Sequence, residues 1–313
     1  MKKIFLLIAA AMMSAGIASA QDINEATANY NNGATELQMG NLEAAVTYFR
    51  TALEMGETLG EPAADLVSNC KSAICSVTLA MAKELYNAKD FAGAIEAFNK
   101  AKEVAEGYGE AEVAAEAEDL AAQANKLQYN TAGTAAIRAK DYPAAIEAFT
   151  KVLELDPTNG NAALQLGQAY YRSNQFDSAV AALTTAQENG QGANATKLLS
   201  QVYLKMAQAD IKAKSYATAI ENCLKSNEYQ ESGNAYKLAA SAAQKLGNNK
   251  DVITYYEKYI ELTPNAKDFG GVVYTLAVLY QQEGNNAKAK EYYEKIVGDP
   301  QYGVAAQEFI KNN

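Results

Sequence analysis

Three cysteines, 37 carboxylates and 20 tyrosines are the side chains of this 313-residue chain with which chemistry could be done, and there is no histidine. That absence removes the commonest general base near neutral pH, the commonest zinc ligand and every Ser–His or Cys–His nucleophile pair. Two carboxylates at the right separation can still act as acid and base, but 37 acids on amphipathic segments produce close pairs by chance. Glu96, Glu147, Glu221 and Glu291 each stand two residues after an alanine that packs between helices, and they read as solvated or structural. No glycine-rich phosphate loop with an adjacent Lys-Ser or Lys-Thr occurs, and no dinucleotide fingerprint. The expectation is a protein that is not an enzyme, with no catalytic residue, no cofactor and no metal.

The cysteines and tyrosines point the same way. Cys70 and Cys75 fall on one expected helix, about 7.5 Å apart along its axis, beyond ordinary disulfide reach. Cys223 has no obvious partner. All three occupy places that want a small or apolar core residue, so they read as buried thiols. Tyr170-Tyr171, Tyr255-Tyr256 and Tyr292-Tyr293 come as adjacent pairs, one member of each on a packing position. Most tyrosines are therefore expected in the core, with exposed members able to grip a peptide or stack on a sugar.

The first twenty residues, "MKKIFLLIAAAMMSAGIASA", have two lysines, a short apolar run and Ala-Ser-Ala before Gln21. This is the form of a cleaved export signal, with the cut after Ala20. The run is too short to span a membrane, and no later stretch is long and apolar. A periplasmic or secreted bacterial protein is expected. The formal charge of −10 becomes −12 once Lys2 and Lys3 are removed, which argues against a nucleic-acid partner.

Abundant alanine, five prolines and no tryptophan favour helices. "KDYPAAIEAFTK" at 140–151 nearly doubles "KDFAGAIEAFNK" at 89–100, 51 positions earlier. In residues 161–186, Leu166, Gly167 and Tyr170 lie on one helix and Phe176, Ala179, Leu183 and Ala186 on the next, a helix–turn–helix unit. The paired small residues recur as Gly33 with Ala45, Ala82 with Ala94, Gly133 with Ala145, Gly167 with Ala179 and Ala207 with Ala219. A large residue follows at Phe49, Phe98, Phe149, Leu183, Tyr256 and Tyr293, with Cys223 at the same place. "LELDP", "IELTP" and "IVGDP" end second helices at Pro157, Pro264 and Pro300.

This pattern resembles the tetratricopeptide repeat family over most of residues 26–300. Seven units are expected, near 26–60, 75–106, 126–157, 160–190, 200–230, 233–264 and 270–300. Units one to two and two to three are 49 and 51 residues apart rather than about 34, and their surplus is helical in character, so longer helices should absorb it. The resemblance implies an all-α superhelical solenoid in which small residues set helix contacts and large ones couple neighbouring units. A soft boundary near residue 125 divides 21–125, with extended helices, from a regular array in 126–313 closed by a capping helix at "YGVAAQEFIKNN".

In this family the first helix of each unit lines the inner surface, and the thirteenth place of the unit points inward. That place holds Arg138, Arg172, Lys212 and Lys245 in units three to six, but Gln38, Asn87 and Gln282 elsewhere. The resemblance thus implies a positive stripe able to attract a carboxylate or an acidic extended segment. Asn130, Thr134, Gln168, Tyr171, Gln208, Lys237, Ser241 and Tyr274 are further inward candidates. The full carboxylate clamp of some family members is not reproduced. The function implied is a non-enzymatic scaffold of the bacterial envelope that holds a peptide or protein partner in a concave groove, with self-association as a further expectation. The alternative is a glycan-binding or helical-barrel carbohydrate-active protein, which the missing tryptophan and histidine count against.

Overall fold

The computed structural model describes residues 17–313. Sixteen of the twenty leader residues lie outside the described residues, and the expected cut after Ala20 falls in the first turn of helix α1. Helices run in consecutive pairs: α1 (Ile17–Met39) with α2 (Leu42–Leu59), α3 (Ala64–Asn87) with α4 (Phe91–Tyr108), α5 (Ala111–Ala139) with α6 (Tyr142–Leu155), and α7 (Gly160–Arg172) with α8 (Phe176–Ala186). Then follow α9 (Gly192–Lys212) with α10 (Tyr216–Tyr229), α11 (Gly233–Leu246) with α12 (Asn249–Leu262), α13 (Phe269–Gln282) with α14 (Asn286–Glu294), and a last helix, α15 (Gly303–Asn312). Seven pairs in an all-α solenoid arrangement are what the spacing predicts. No described residue is in a strand. The chain divides into two compact units after Thr131, inside α5.

Every pair closes on one kind of turn, and the sequence shows why. The residue between the helices takes a left-handed conformation: Gly40 (φ 83°), Lys89 (63°), Lys140 (60°), Asn174 (60°), Lys214 (62°), Gly247 (73°) and Gly284 (77°). The following amide bonds back to a carbonyl in the last helical turn, as in Asp141 N to Ala136 O at 2.9 Å and Asn248 N to Ala243 O at 3.0 Å. This satisfies carbonyls a helix end leaves open. The second helix then starts under a side-chain cap at Asp90, Asp141, Asn248 and Asn285, each accepting from an amide three residues on. Lysine at a left-handed position costs about 1 kcal/mol relative to glycine. Lys140→Gly should therefore raise stability by about 1 kcal/mol, and Gly247→Ala should lower it by a similar amount. Denaturant midpoints check both.

The two longest helices lie where the unit spacing is stretched: α3 has 24 residues and α5 has 29, against 13 or 14 for α7, α11, α12 and α13. The 21-residue α9 departs from the expected boundaries. Its first two turns, from Gly192, take residues outside the expected unit at 200–230. The kinked segment Gln187–Gln191 feeds into it, turned by Gly190 at φ 86°. That segment presses on Gly160, where any Cβ would meet the carbonyl oxygen of Asn189.

Packing joins each second helix to the first helix of the next pair. In the N-terminal unit, Phe49 on α2 clusters with Cys70, Ile74 and Val77 on α3, and Phe98 on α4 clusters with Ala117 and Ala121 on α5. In the C-terminal unit, Leu183 on α8 clusters with Leu199 and Val202 on α9, and Cys223 on α10 with Ala235 and Ala239 on α11. Leu276, Tyr293 and Ile296 cluster with Ala306 of α15, against which Phe309 also packs. The large residues also fold back over their own pair. A Cβ on Gly33 would lie 2.9 Å from the Phe49 ring and 3.1 Å from the Ala45 carbonyl oxygen. One on Gly133 would lie 2.8 Å from Phe149, and one on Gly167 would lie 2.6 Å from Leu183.

Candidate functional site

The four in-register cations end four successive first helices. Arg138 is in the last turn of α5, Arg172 of α7, Lys212 of α9 and Lys245 of α11. All four are exposed. A cation in the last turn of a helix is stabilised by the partial negative charge of the carbonyl end, which is a local reason for these residue types. Polar candidates sit one or two turns earlier on the same faces. Thr134 and Asn130 precede Arg138 by four and eight residues, Gln168 precedes Arg172 by four, Gln208 precedes Lys212 by four, and Ser241 and Lys237 precede Lys245 by four and eight. Within the C-terminal unit, α7 packs on α9 and α9 on α11. The columns ending in Arg172, Lys212 and Lys245 are thus carried on neighbouring helices. Asn130 lies on the other side of the division in α5.

The columns differ in what their charges touch. Arg138, Lys212 and Lys245 form no ion pair with any described residue. The Arg172 guanidinium lies 6.0 Å from the centre of the Tyr171 ring, and that half-buried ring packs against Phe176 at 6.4 Å. Lys237 is committed elsewhere: its ammonium is 2.6 Å from an Asp268 carboxylate oxygen and 5.5 Å above the Tyr259 ring. The Tyr259 hydroxyl donates to the other Asp268 oxygen at 2.6 Å. The hydrogen bond to Asp268 raises the Lys237 pKa. Burial works to raise the Asp268 carboxyl, but the bonds from Lys237 and Tyr259 outweigh it and hold the carboxyl below its ordinary value. Tyr274 is stacked on Tyr302 at 4.8 Å and meets Tyr293 edge-on at 6.0 Å, so its ring is used in packing the end of the array. Gln168 and Gln208 are half-buried.

Asp268 and the left-handed lysines are the features that the sequence reading passed over. The lysines were legible in principle. Aligning the turns "MGN", "AKD", "AKD", "SNQ", "AKS", "LGN" and "EGN" puts Lys89, Lys140 and Lys214 at a glycine's place. Nothing local ties Asp268 to Lys237, which stands 31 positions earlier in another pair.

Elsewhere the thiols are packed and the repeated glutamates are not. Cys70, Cys75 and Cys223 are free and buried, as expected. Glu96, Glu147, Glu221 and Glu291 are exposed. Among the described residues no group of three or more Cys, Asp or Glu is placed to hold a metal ion, and no described helix is long and apolar enough to cross a membrane.

Among solved structures the chain is similar to MamA, 21% identical over 58% of this chain and 94% of that one, with a TM-score of 0.37. PilF of Pseudomonas aeruginosa is 16% identical over 60% of this chain and 82% of its own, with a TM-score of 0.30. YrrB, described as a TPR protein with an unusual peptide-binding site, is 17% identical over 57% of this chain and 90% of its own, at 0.35. No curated protein matches the chain. Tetratricopeptide repeat models match residues 136–202 and, separately, 26–56, 233–266 and 271–298. These stretches make up about half of the chain and fall on the helix pairs described above, and the protein belongs to the tetratricopeptide repeat family.

Proposed function

We propose that the chain is an exported scaffold of the bacterial envelope, whose C-terminal unit holds an extended acidic segment of a partner along its first helices. Proteins of this family act by binding other proteins or peptides. The observation that carries the finer reading is the row Arg138, Arg172, Lys212 and Lys245. It places one exposed cation at the same place of four consecutive first helices, on a chain of net charge −10. Arginine binds carboxylates bidentately and lysine as a point charge, so the row suits carboxylates spaced along an extended peptide. A preformed helical surface loses little conformational freedom on binding. The leader-like start, with Lys2, Lys3 and Ala18-Ser19-Ala20, supports export. The glycan-binding alternative draws no support from family membership.

The test is titration of a fluorescent glutamate-rich peptide against the protein and against the variant with Arg138, Arg172, Lys212 and Lys245 all changed to Ala. Four exposed charge contacts of a few tenths of a kcal/mol each predict an affinity loss of about tenfold or more, and a flatter salt dependence. Equal affinity and equal salt sensitivity would reduce the row to cations that merely complement their helix ends.

A further inference from the structure

Asp268 is the residue before α13, and its side chain leaves the start of that helix uncapped. The residues before α7 and α11, Asn159 and Ser232, each accept a bond from the amide three residues on. Aspartate caps a helix as well as asparagine or serine does, yet the Asp268 side chain makes no such bond. It reaches back to the sixth pair instead. There the Lys237 ammonium of α11 stands 2.6 Å from one carboxylate oxygen, and the Tyr259 hydroxyl of α12 donates to the other at 2.6 Å.

These two donors make a carboxylate receptor that belongs to the sixth pair alone. Tyr259 is 4% exposed, so packing fixes its ring and aims its hydroxyl. The Lys237 ammonium also lies 5.5 Å above that ring, an attraction that keeps the cation at the site whether or not a carboxylate is there. The occupant comes from outside the pair, on the connector 263–268, where Pro264, Asn265 and Lys267 are exposed. The contact itself is open to solvent, with 47% of the Lys237 side chain and 39% of that of Asp268 accessible. A competing anion can therefore approach the ammonium without unfolding either helix.

We propose, resting on the acidic-segment reading above, that Asp268 is an autoinhibitory occupant of this receptor, which an incoming carboxylate must displace. Lys237 stands eight residues, about 12 Å, before Lys245 on α11, a distance that about four extended residues cover. A segment with one carboxylate at Lys245 thus brings a second to Lys237. Because Asp268 is tethered by a short connector, it competes as though present at about millimolar concentration or above. A single free carboxylate loses that competition, whereas a segment already anchored at Lys245 is tethered in its turn. The mask therefore selects partners that carry several carboxylates over free organic acids.

Titration of the fluorescent glutamate-rich peptide against the full chain and its variants tests the mask. Asp268→Ala should bind about threefold tighter, and Lys237→Ala should cost more affinity in that background than in the unchanged protein. Asp268→Ser, which vacates the receptor and lets the residue cap α13, should show the same gain, and thermal melts report that each variant keeps its fold. Acetate gives a readout that does not involve the row of cations. Relative to equal chloride, it should raise the melting temperature of Asp268→Ala by about 1 °C more than that of the unchanged protein or of Asp268→Ala combined with Lys237→Ala. Acetate rescue with no peptide binding to any form refutes the acidic-segment reading and leaves the masked receptor standing. No acetate rescue, a measurable peptide affinity that Asp268→Ala leaves unchanged, or a gain that Lys237→Ala does not remove overturns the proposal.

Discussion

Guanidinium unfolding of the full chain is expected to shift to much lower denaturant as the pH rises from about 8 to about 11. Cys70, Cys75 and Cys223 are all wholly inaccessible. Burial pushes the Cys70 thiol up to about 12. Burial, with the Glu110 charge adding to it, pushes Cys75 to about 11. Burial and then the Asp210 charge push Cys223 to about 12. In the unfolded chain the same thiols ionise near 9, so below that pH neither state loses protons and stability is intact. Above it the unfolded chain releases protons that the native state keeps, and stability falls until the native thiols titrate near 11 to 12. At about 1.4 kcal/mol per pH unit for each group, the loss is on the order of 3 kcal/mol per thiol. Tyr280 and Tyr292 add to the trend, since burial and then their hydrogen bonds to Glu257 both raise them. The variant with Cys70, Cys75 and Cys223 all changed to Ala should be weaker at neutral pH, because it opens small cavities, but flatter in its pH dependence. Native thiols that react with a disulfide reagent near pH 8 as fast as free cysteine would contradict the burial on which the expectation rests.

The second large effect is at the contact of Gly133 with Phe149. Phe149 is 1% exposed, and its ring lies over Gly133, where an added Cβ would sit 2.8 Å away. Phe149→Ala empties that space and should cost about 3–5 kcal/mol. Gly133→Leu overfills it and should cost about 1–3 kcal/mol or more. In the double variant the leucine occupies the volume the ring gave up, so the combined loss should fall short of the sum by about 1 kcal/mol or more. Strict additivity of the two losses would mean that these side chains do not share one space.

The same contact shows how far the sequence could be read. Gly133, Gly167 and Gly33 are legible because a close helix approach admits no side chain, and the residue opposite is large for the complementary reason. That pairing repeats, so its phase locates each pair even where the local spelling is weak. The extra length of α3 and α5 was legible too, since the surplus residues keep a helical pattern with no strong breaker. The start of α9 was not. The expected units leave 191–199 between them, yet the turn is confined to Asn189, Gly190 and Gln191, and the helix resumes at Gly192. For the candidate site, family register places Arg138, Arg172, Lys212 and Lys245 on equivalent helix ends, but register says nothing of partners. That Lys237 is held by Asp268 while Lys245 pairs with no described residue depends on which distant side chain comes within 3 Å. No local pattern carries that information.

The ring that closes over a glycine in its own hairpin and meets the next helix has a consequence for length. In a globule, interior volume outgrows surface as residues are added. Here each hairpin carries its own filler and its own notch, so interior and exterior increase in step. A complete hairpin inserted at the Asp156–Asn159 connector would extend the array without diluting any cluster, whereas half of one would leave a ring with no notch to occupy. Such a chain can be lengthened only in whole hairpins.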